Sequence, residues 1–267
     1  MSGFRLLMRL AWASLRAQAQ YPASAIMLTV GQFIGNGIEI LSVWALFDRF
    51  GNVKGWSLGE VAVFYGFVNM MFAVADLLCR GFDVLGTEFL RTGDFDRVLL
   101  RPRTATLQLM AHEFRISRIG RFAPGLVVLL IGAHALNLEW TATSIAIALW
   151  AGAGGVALFF ALVVLQATMS FWTIESLEVM NVVTYGGVQA AQFPLSLYNG
   201  WLRGALTYVV PLACVAYFPV LLILGRPDPL GTPAWLGAVT PIAGFLFLGL
   251  ALVAWRFGVR HYTSTGS

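Results

Sequence analysis

The sequence predicts an all-α fold, a polytopic membrane bundle of six transmembrane helices. Composition is the first reason, because 58% of the 267 residues are hydrophobic and only 11% are charged, whereas about 25% of the residues in soluble domains are charged. Uncharged runs are the second reason, since residues 140–174 and 204–225 exceed the roughly 20 residues that a helix needs to cross a bilayer. Alternating segments of about 10 residues, which build membrane β-barrels, do not occur. Because spans and short connections use nearly all of the length, we expect no soluble catalytic domain.

Residues 1–21 are predicted to form an amphipathic helix that lies in the membrane interface. At 100° per residue the stretch separates into an apolar face with Phe4, Leu7, Met8, Ala11 and Leu15, and a basic face with Arg5, Arg9 and Arg16. Such a helix places its arginines toward anionic lipid headgroups. Tyr21-Pro22 ends the helix before the first span. The alternative is a plain cytoplasmic extension.

Residues 22–267 are predicted to form a six-span membrane domain. The predicted spans are Ala23–Phe47, Leu58–Leu78, Phe114 or later to Leu136, Thr143–Trp172, Gly204–Leu224, and Ala234 or later to Phe257. An even number of spans returns the C-terminus to the side of the N-terminus. Of the 17 basic residues, 14 then share that side, and only Arg49, Lys54 and Arg226 lie on the other. Because arginine and lysine accumulate in cytoplasmic loops, both termini are predicted to be cytoplasmic.

Residues 179–202 are uncharged but are not predicted to be a seventh span. Their Asn, Gln, Thr and Gly residues, together with Pro194, make the stretch too polar and too broken to face lipid. A seventh crossing would also move Arg256 and Arg260 to the outside. We expect a cytoplasmic or interfacial helix and turn here, and a re-entrant segment buried among other helices is the alternative.

Several kinds of catalytic and binding site are excluded by their missing motifs. The only lysine is Lys54, and it follows Val53, so the phosphate-binding pattern Gly-x-x-x-x-Gly-Lys-Ser/Thr does not occur. His112, His134 and His261 are dispersed along the chain and form no His-Glu-x-x-His zinc motif and no obvious triad. We therefore expect a chain that is not an enzyme and binds no cofactor or metal. The net charge of +4 follows from the topology, so no nucleic-acid partner is expected.

The first predicted span carries a polar stripe. Within roughly 120° of helix circumference it places Gln32, Asn36, Glu39 and Ser42. An ionisable side chain at membrane depth costs at least ~2.5 kcal/mol unless it faces protein or water. One interpretation is a translocation path or a subunit seam, where Glu39 attracts a cationic substrate. The other is a carboxylate hydrogen-bonded between helices that approach closely at Gly31 and Gly35.

Residues 80–121 form a polar segment between the second and third spans, and it contains eight arginines. Its first part has apolar residues at helical spacing, and Thr92-Gly93 ends that helix. Asp94 is then placed as the N-cap of a second short helix, Phe95–Leu100, which Pro102 stops. Two short helices against the cytoplasmic face are therefore predicted. A loop that merely connects two spans is the alternative.

The stretch Gly-Asp-Phe-Asp-Arg-Val-Leu-Leu-Arg-Pro, residues 93–102, resembles the characteristic loop of bacterial type 2 ATP-binding-cassette exporter permeases. A second resemblance lies in Gln192-Phe193-Pro194-Leu195-Ser196-Leu197-Tyr198, followed by Trp201-Leu202-Arg203, Leu206-Thr207, Val210-Pro211 and Tyr217-Phe218-Pro219. Phe193 stands where the family often has tyrosine. The resemblance covers essentially the whole chain.

This resemblance implies a six-span permease domain in the bacterial plasma membrane that couples to a separate ATPase. Similar systems pair two permease chains, often two different ones, with two copies of an ATPase that binds ATP and Mg²⁺. Residues 80–121, called the coupling segment below, would dock into a groove of that ATPase. The candidate contact residues are Phe82, Leu85, Glu88, Phe89, Asp94, Phe95, Asp96, Arg97, Leu100, Arg101 and Pro102. The alternative function is an ion-coupled secondary transporter or channel without an ATPase, with Glu39 as its ionisable centre.

Overall fold

The computed structural model describes residues 22–112, 119–173 and 177–263, together with residues 12–13, 16 and 20. These residues are predominantly helical, and the only β-type pairing among them is an isolated bridge between Val53 and Trp56. Most of the predicted interfacial helix, residues 1–21, lies outside the described residues. The all-α prediction agrees with the described part of the chain.

The helices follow the chain in one continuous order. They are α1 (Pro22–Phe50), α2 (Leu58–Asp83), α3 (Phe95–Leu100), α4 (Ala105–Met110), α5 (Ile119–Ala135), α6 (Ala142–Met169), α7 (Leu177–Ala191), α8 (Gly200–Gly204), α9 (Phe218–Leu224), α10 (Leu236–Val239) and α11 (Ile242–His261). Wider π-helical turns extend three of them, and these are Leu85–Leu90 after α2, Ala205–Val209 after α8 and Ala213–Tyr217 before α9. A short 3₁₀ turn covers Leu195–Leu197.

Four helical stretches in the described residues are long and apolar enough to cross a membrane. They are Pro22–Phe50, Leu58–Leu90, Ala142–Met169 and Leu236–His261. A fifth crossing is counted only if the bent pair Gly200–Val209 and Ala213–Leu224 acts as one span. The predicted third span corresponds to α5, a shorter apolar helix. Four of the six predicted spans, or five if the bent pair is counted, therefore correspond to helices that are long and apolar enough to cross a membrane.

The predicted fifth span, Gly204–Leu224, is not one continuous helix. Its two halves are inclined at 83° to each other, and the break falls at Val210-Pro211, where Val210 adopts extended backbone angles of φ −119° and ψ 99°. Proline has no amide hydrogen and disfavours a helical conformation in the residue before it. The predicted fifth span is therefore interrupted at Val210-Pro211.

Two hydrogen bonds fix the position of the 3₁₀ turn. Lys54 Nζ donates to the Leu197 carbonyl at 3.0 Å, and Trp56 Nε1 donates to Ser196 Oγ at 2.8 Å. The turn therefore lies at the same end of the bundle as the loop before α2, which we call the Lys54 end. Residues 179–202 and Lys54 are predicted to lie on opposite sides of the membrane, and these two contacts contradict that prediction for residues 195–197.

α7 explains the difference, because it runs between the two ends of the bundle. It begins shortly after Trp172, whose ring stacks on Phe257 near the end of α11 at 6.1 Å. Halfway along, Tyr185 contacts Phe72 in the middle of α2 at 5.6 Å. With 15 residues at 1.5 Å per residue, α7 rises about 22 Å. It thereby carries the chain from the α3 end, where the coupling segment lies, to the Lys54 end.

α6 and α11 pack against each other at two glycines. A Cβ atom on Gly154 would lie 2.5 Å from the carbonyl oxygen of Pro241, and a Cβ atom on Gly244 would overlap the Gly154 carbonyl. Small residues let two helix backbones approach closely inside a membrane. This contact positions α11 along α6, so that both helices end beside the coupling segment.

The Gly154→Ala variant is expected to lose about 1–3 kcal/mol of stability, because the added methyl group forces α6 and α11 apart. Gly152→Ala is the matched control, since a Cβ atom there meets no atom within 4 Å. The control should stay within about 0.5 kcal/mol of the wild type. Thermal unfolding of the detergent-purified proteins measures both, and equal melting temperatures for the two variants would contradict this packing.

Candidate functional site

Residues 80–112 of the coupling segment fold as a continuation of α2 followed by two short helices, and residues 113–118 lie outside the described residues. The apolar residues after Phe82 do not form a separate helix as predicted, because the π-helical turn Leu85–Leu90 extends α2. Gly93 then adopts a φ of +76°, a conformation that glycine reaches without steric cost. The next helix spans Phe95–Leu100, which confirms the predicted bounds.

Asp94 occupies the N-cap position of α3, but its side chain makes no hydrogen bond to the first helical turn. Its backbone angles of φ −68° and ψ −14° are helical, whereas a capping residue is usually extended. The carboxylate instead pairs with Arg97 at 3.0 Å. The turn before α3 is held by Thr92, whose hydroxyl donates to the Glu88 carbonyl at 2.7 Å. The predicted capping interaction is therefore wrong, although the helix starts where predicted.

Phe95 joins α3 to the ends of the two long helices α6 and α11. Its side chain is 0% exposed and its ring lies 5.4 Å from Phe171, 6.4 Å from Trp255 and 5.0 Å from Tyr262. Aromatic rings at such separations contribute about 0.5–1.5 kcal/mol per pair beyond the area they bury. We call these four residues the Phe95 cluster.

Phe82 extends this packing into the bundle, because its ring lies 5.1 Å from Trp255 and 5.5 Å from Phe160. Leu85 and Phe89 are also buried. Four of the predicted contact residues, Phe82, Leu85, Phe89 and Phe95, thus pack within the chain itself. Their helical spacing indicated an apolar face, and the structure assigns that face to the interior of this protein.

α4 packs on α2 and is hydrogen-bonded to α3, and neither contact was predicted from the sequence. A Cβ atom on Gly81 would overlap the Leu109 carbonyl, so the glycine permits α4 to lie against α2. Gln108 Nε2 donates to the Val98 carbonyl at 2.8 Å and to the Arg103 carbonyl at 3.0 Å. The short helices therefore form one unit with the end of α2.

Charged side chains connect the beginning and the end of this unit. Arg80 forms an ion pair with Asp83 at 2.9 Å and lies 4.0 Å from Glu88. His112 Nε2 is 3.6 Å from the Glu88 carboxylate, and its ring packs on Phe89 at 4.8 Å. Glu88, a predicted contact residue, is half exposed and has these two partners within the chain.

The outer surface of α3 is exposed. Leu100 is 86% exposed, and the Arg97 side chain is 80% exposed. Arg101 and Pro102 are also exposed, whereas Asp94 and Asp96 are intermediate. We call Arg97, Leu100, Arg101 and Pro102 the α3 ridge. An apolar side chain between two arginines is a surface suited to a partner that offers an apolar pocket and carboxylates.

The polar stripe of α1 is divided by the fold. Tyr65 Oη donates to Glu39 Oε2 at 2.9 Å, and Asn36 Nδ2 donates to the Gly120 carbonyl at 3.3 Å. Glu39 and Asn36 therefore lie in the seam between α1, α2 and α5. Ser42 donates to the Ile38 carbonyl of its own helix at 2.8 Å, and Gln32 is exposed.

The close approach of α1 to its neighbour occurs at Gly120 of α5, where a Cβ atom would lie 2.7 Å from the Thr29 carbonyl. At Gly31 and Gly35 a Cβ atom would meet no atom within 4 Å. The expectation that these two glycines bring helices together within the chain is therefore wrong. The hydrogen bond from Tyr65 nevertheless agrees with the interpretation of Glu39 as a carboxylate held between helices.

Among the described residues, no group of three or more His, Cys, Asp and Glu side chains could hold a metal ion. The comparisons with known proteins give one match. The family model described as ABC-2 family transporter protein matches residues 33–266, which is most of the chain. No curated protein and no solved structure matches it.

Proposed function

The chain belongs to the ABC-2 family of transporter proteins, and we propose that it is the permease subunit of an ATP-driven exporter in the bacterial plasma membrane. In this proposal a cytoplasmic ATPase, present in two copies, binds ATP and Mg²⁺ and performs the hydrolysis. A second permease chain, of the same or a different sequence, completes the membrane part. Export is preferred over import because residues 93–102 resemble the loop of exporter permeases.

One observation carries the coupling role, namely the two-sided character of α3. On its inner side Phe95 is buried among rings at the ends of α6 and α11. On its outer side the α3 ridge is exposed. An element that transmits movement needs a firm attachment to the moving helices and a free surface for the partner. α3 meets both conditions.

The composition of the α3 ridge defines what the ATPase groove would offer. Leu100 is the apolar anchor, and Arg97 and Arg101 stand one turn apart beside it. Arginine forms strong paired hydrogen bonds with carboxylates. The expected groove therefore combines an apolar pocket with acidic residues. The ridge would be held in place by the buried residues Phe82, Leu85, Phe89 and Phe95.

We further propose six membrane crossings, made by α1, α2, α5, α6, α7 and α11. In this arrangement the bent pair Gly200–Val209 and Ala213–Leu224 enters the membrane from the Lys54 end and returns to it. Support comes from both flanks of the pair, because Leu197 accepts a hydrogen bond from Lys54 and Arg226 forms an ion pair with Glu60. Arg203 moves to the outside, which leaves 13 of the 17 basic residues on the cytoplasmic side and four outside. The termini remain cytoplasmic.

The test is binding of the purified chain to a co-expressed ATPase subunit of its transporter. The double variant Arg97→Glu, Leu100→Glu is expected to weaken binding at least about 100-fold, because it removes an anchor and reverses a charge in the centre of the contact. Arg91→Glu is the control, since this exposed arginine lies at the same end but outside the ridge.

Undiminished binding of the double variant would refute docking through the α3 ridge. Transport by the chain alone in liposomes, driven by an ion gradient, would instead establish the ion-coupled alternative. Binding to the ATPase and transport by the chain alone are separate measurements, so the same preparation of protein can be tested for both.

A further inference from the structure

A groove of about 480 Å³ opens between the last turns of α11 and the start of α4. Leu252, Trp255 and Val259 of α11 form its apolar wall, Thr104 lies opposite, and Arg256 and Arg260 stand at its rim. The wall and rim residues recur every three or four positions, so they share one face of the helix. The groove thus combines an apolar surface with two positive charges.

The two arginines are available to a ligand. Both are exposed, and neither forms an ion pair in the part of the chain that the structure describes. No acidic residue lines the groove. A ligand that binds here is therefore anionic at one end and apolar at the other.

Neighbouring aromatic residues place the groove at the boundary between membrane and water. Trp172 and Phe257 stack on each other at 6.1 Å, and both are more than half exposed. Tryptophan, like tyrosine, concentrates at the headgroup level of membranes. The molecule that meets an amphipathic groove at this depth is a phospholipid.

We propose that this groove binds an anionic phospholipid. The phosphate accepts hydrogen bonds from Arg256 and Arg260, and one acyl chain lies along Leu252 and Val259 and against the edge of Trp255, which is only 2% exposed. Basic pockets between membrane helices on the cytoplasmic side are suited to such headgroups. Because Trp255 belongs to the Phe95 cluster and Thr104 immediately precedes α4, the lipid bridges α11 and the coupling segment. It would thereby hold the α3 ridge in position.

The test uses the purified full chain in nanodiscs, without an ATPase, so its failure would leave the proposed permease function untouched. Phosphatidylglycerol with brominated acyl chains is expected to quench tryptophan fluorescence more than brominated phosphatidylcholine does. The Trp255→Phe variant should remove this difference. Native mass spectrometry of the detergent-purified protein provides a second measurement, since the wild type should retain phosphatidylglycerol after delipidation.

The double variant Arg256→Gln, Arg260→Gln is expected to weaken phosphatidylglycerol binding about 30-fold at low salt, because each basic residue contributes on the order of 1 kcal/mol. The difference should shrink as salt screens the charges. Arg91→Gln, Arg97→Gln is the charge-matched control at the same end of the bundle, and its effect should be much smaller.

Three results would overturn the proposal. The first is equal retention of phosphatidylglycerol by the wild type and the Arg256→Gln, Arg260→Gln variant. The second is equal quenching by the two brominated lipids, which would indicate an acyl-chain groove without headgroup recognition. The third is displacement by soluble glycerol phosphate at the same concentration, which would identify a free phosphate ester as the ligand.

Discussion

The Phe95→Ala variant is expected to lose ATPase-coupled transport while its long helices stay folded. Phe95 is 0% exposed and packs on three aromatic rings from the ends of α6 and α11. Truncating a buried phenylalanine to alanine costs about 3–5 kcal/mol. A six-residue helix has few other contacts to compensate, so this loss opens the coupling segment before it unfolds the bundle.

Hydrogen exchange measures this opening directly. Amides in residues 93–112 should exchange faster in Phe95→Ala, while those of α6 keep their protection. Phe95→Leu is expected to recover most of the protection, because it restores much of the buried volume. Phe50→Ala is the control for loss of an exposed ring, since Phe50 is 63% exposed. Unchanged exchange in residues 93–112 would show that α3 is not attached through Phe95.

The bounds of α3 could be predicted because their signals are local. Gly93 permits the turn before the helix, and Pro102 restricts the residue before it, which ends the helix. The direction of the apolar side chains could not be predicted in the same way. Helical spacing indicates that Phe95 and Val98 share a face, but a partner protein and the ends of α6 and α11 are equally apolar destinations. Only the tertiary fold distinguishes them.

α7 was not predicted to be a long element of the bundle because its polar residues argued against lipid exposure. The structure places one of these residues, Thr184, inside the protein, whereas Gln189 of the same helix is exposed. Thr184 is 1% exposed and donates to Gln166 Oε1 of α6 at 3.4 Å. Hydropathy counts each polar residue as a cost, whereas a pair of them between helices is stabilising. The partner of Thr184 is 18 residues away in sequence, so the stretch itself gives no signal of it.

Residues 195–197 were predicted at the wrong end of the bundle for a related reason. The bonds from Lys54 to Leu197 and from Trp56 to Ser196 join residues 143 and 140 positions apart. No periodicity or turn motif indicates contacts over such separations. Charge counting predicts an overall orientation, but it cannot locate an uncharged segment such as residues 195–197.

The Arg226→Met variant is expected to lower the stability of the protein by about 3 kcal/mol, because it leaves a mostly buried carboxylate without its counter-ion. Arg226 forms an ion pair with Glu60, and the side chains are only 24% and 15% exposed. Its guanidinium also donates to the Gly55 carbonyl at 2.8 Å and lies 3.8 Å from the centroid of the Trp56 ring. Arg49→Met is the control, because Arg49 is exposed at the same end.

A double variant separates the lost ion pair from the lost packing. Glu60 also accepts hydrogen bonds from Ser57 as part of the capping box of α2, and glutamine serves in this motif as well. Glu60→Gln, Arg226→Met is therefore expected to melt above Arg226→Met alone, because the uncompensated charge is gone. A double variant that melts no higher would show that Arg226 stabilises this end mainly through Trp56 and Gly55. The comparison of the single variants tests the topology in both cases. A large loss of stability for Arg226→Met and none for Arg49→Met would mean that Arg226 attaches the chain after α9 to the start of α2. The proposed return of Gly200–Leu224 to the Lys54 end requires this attachment.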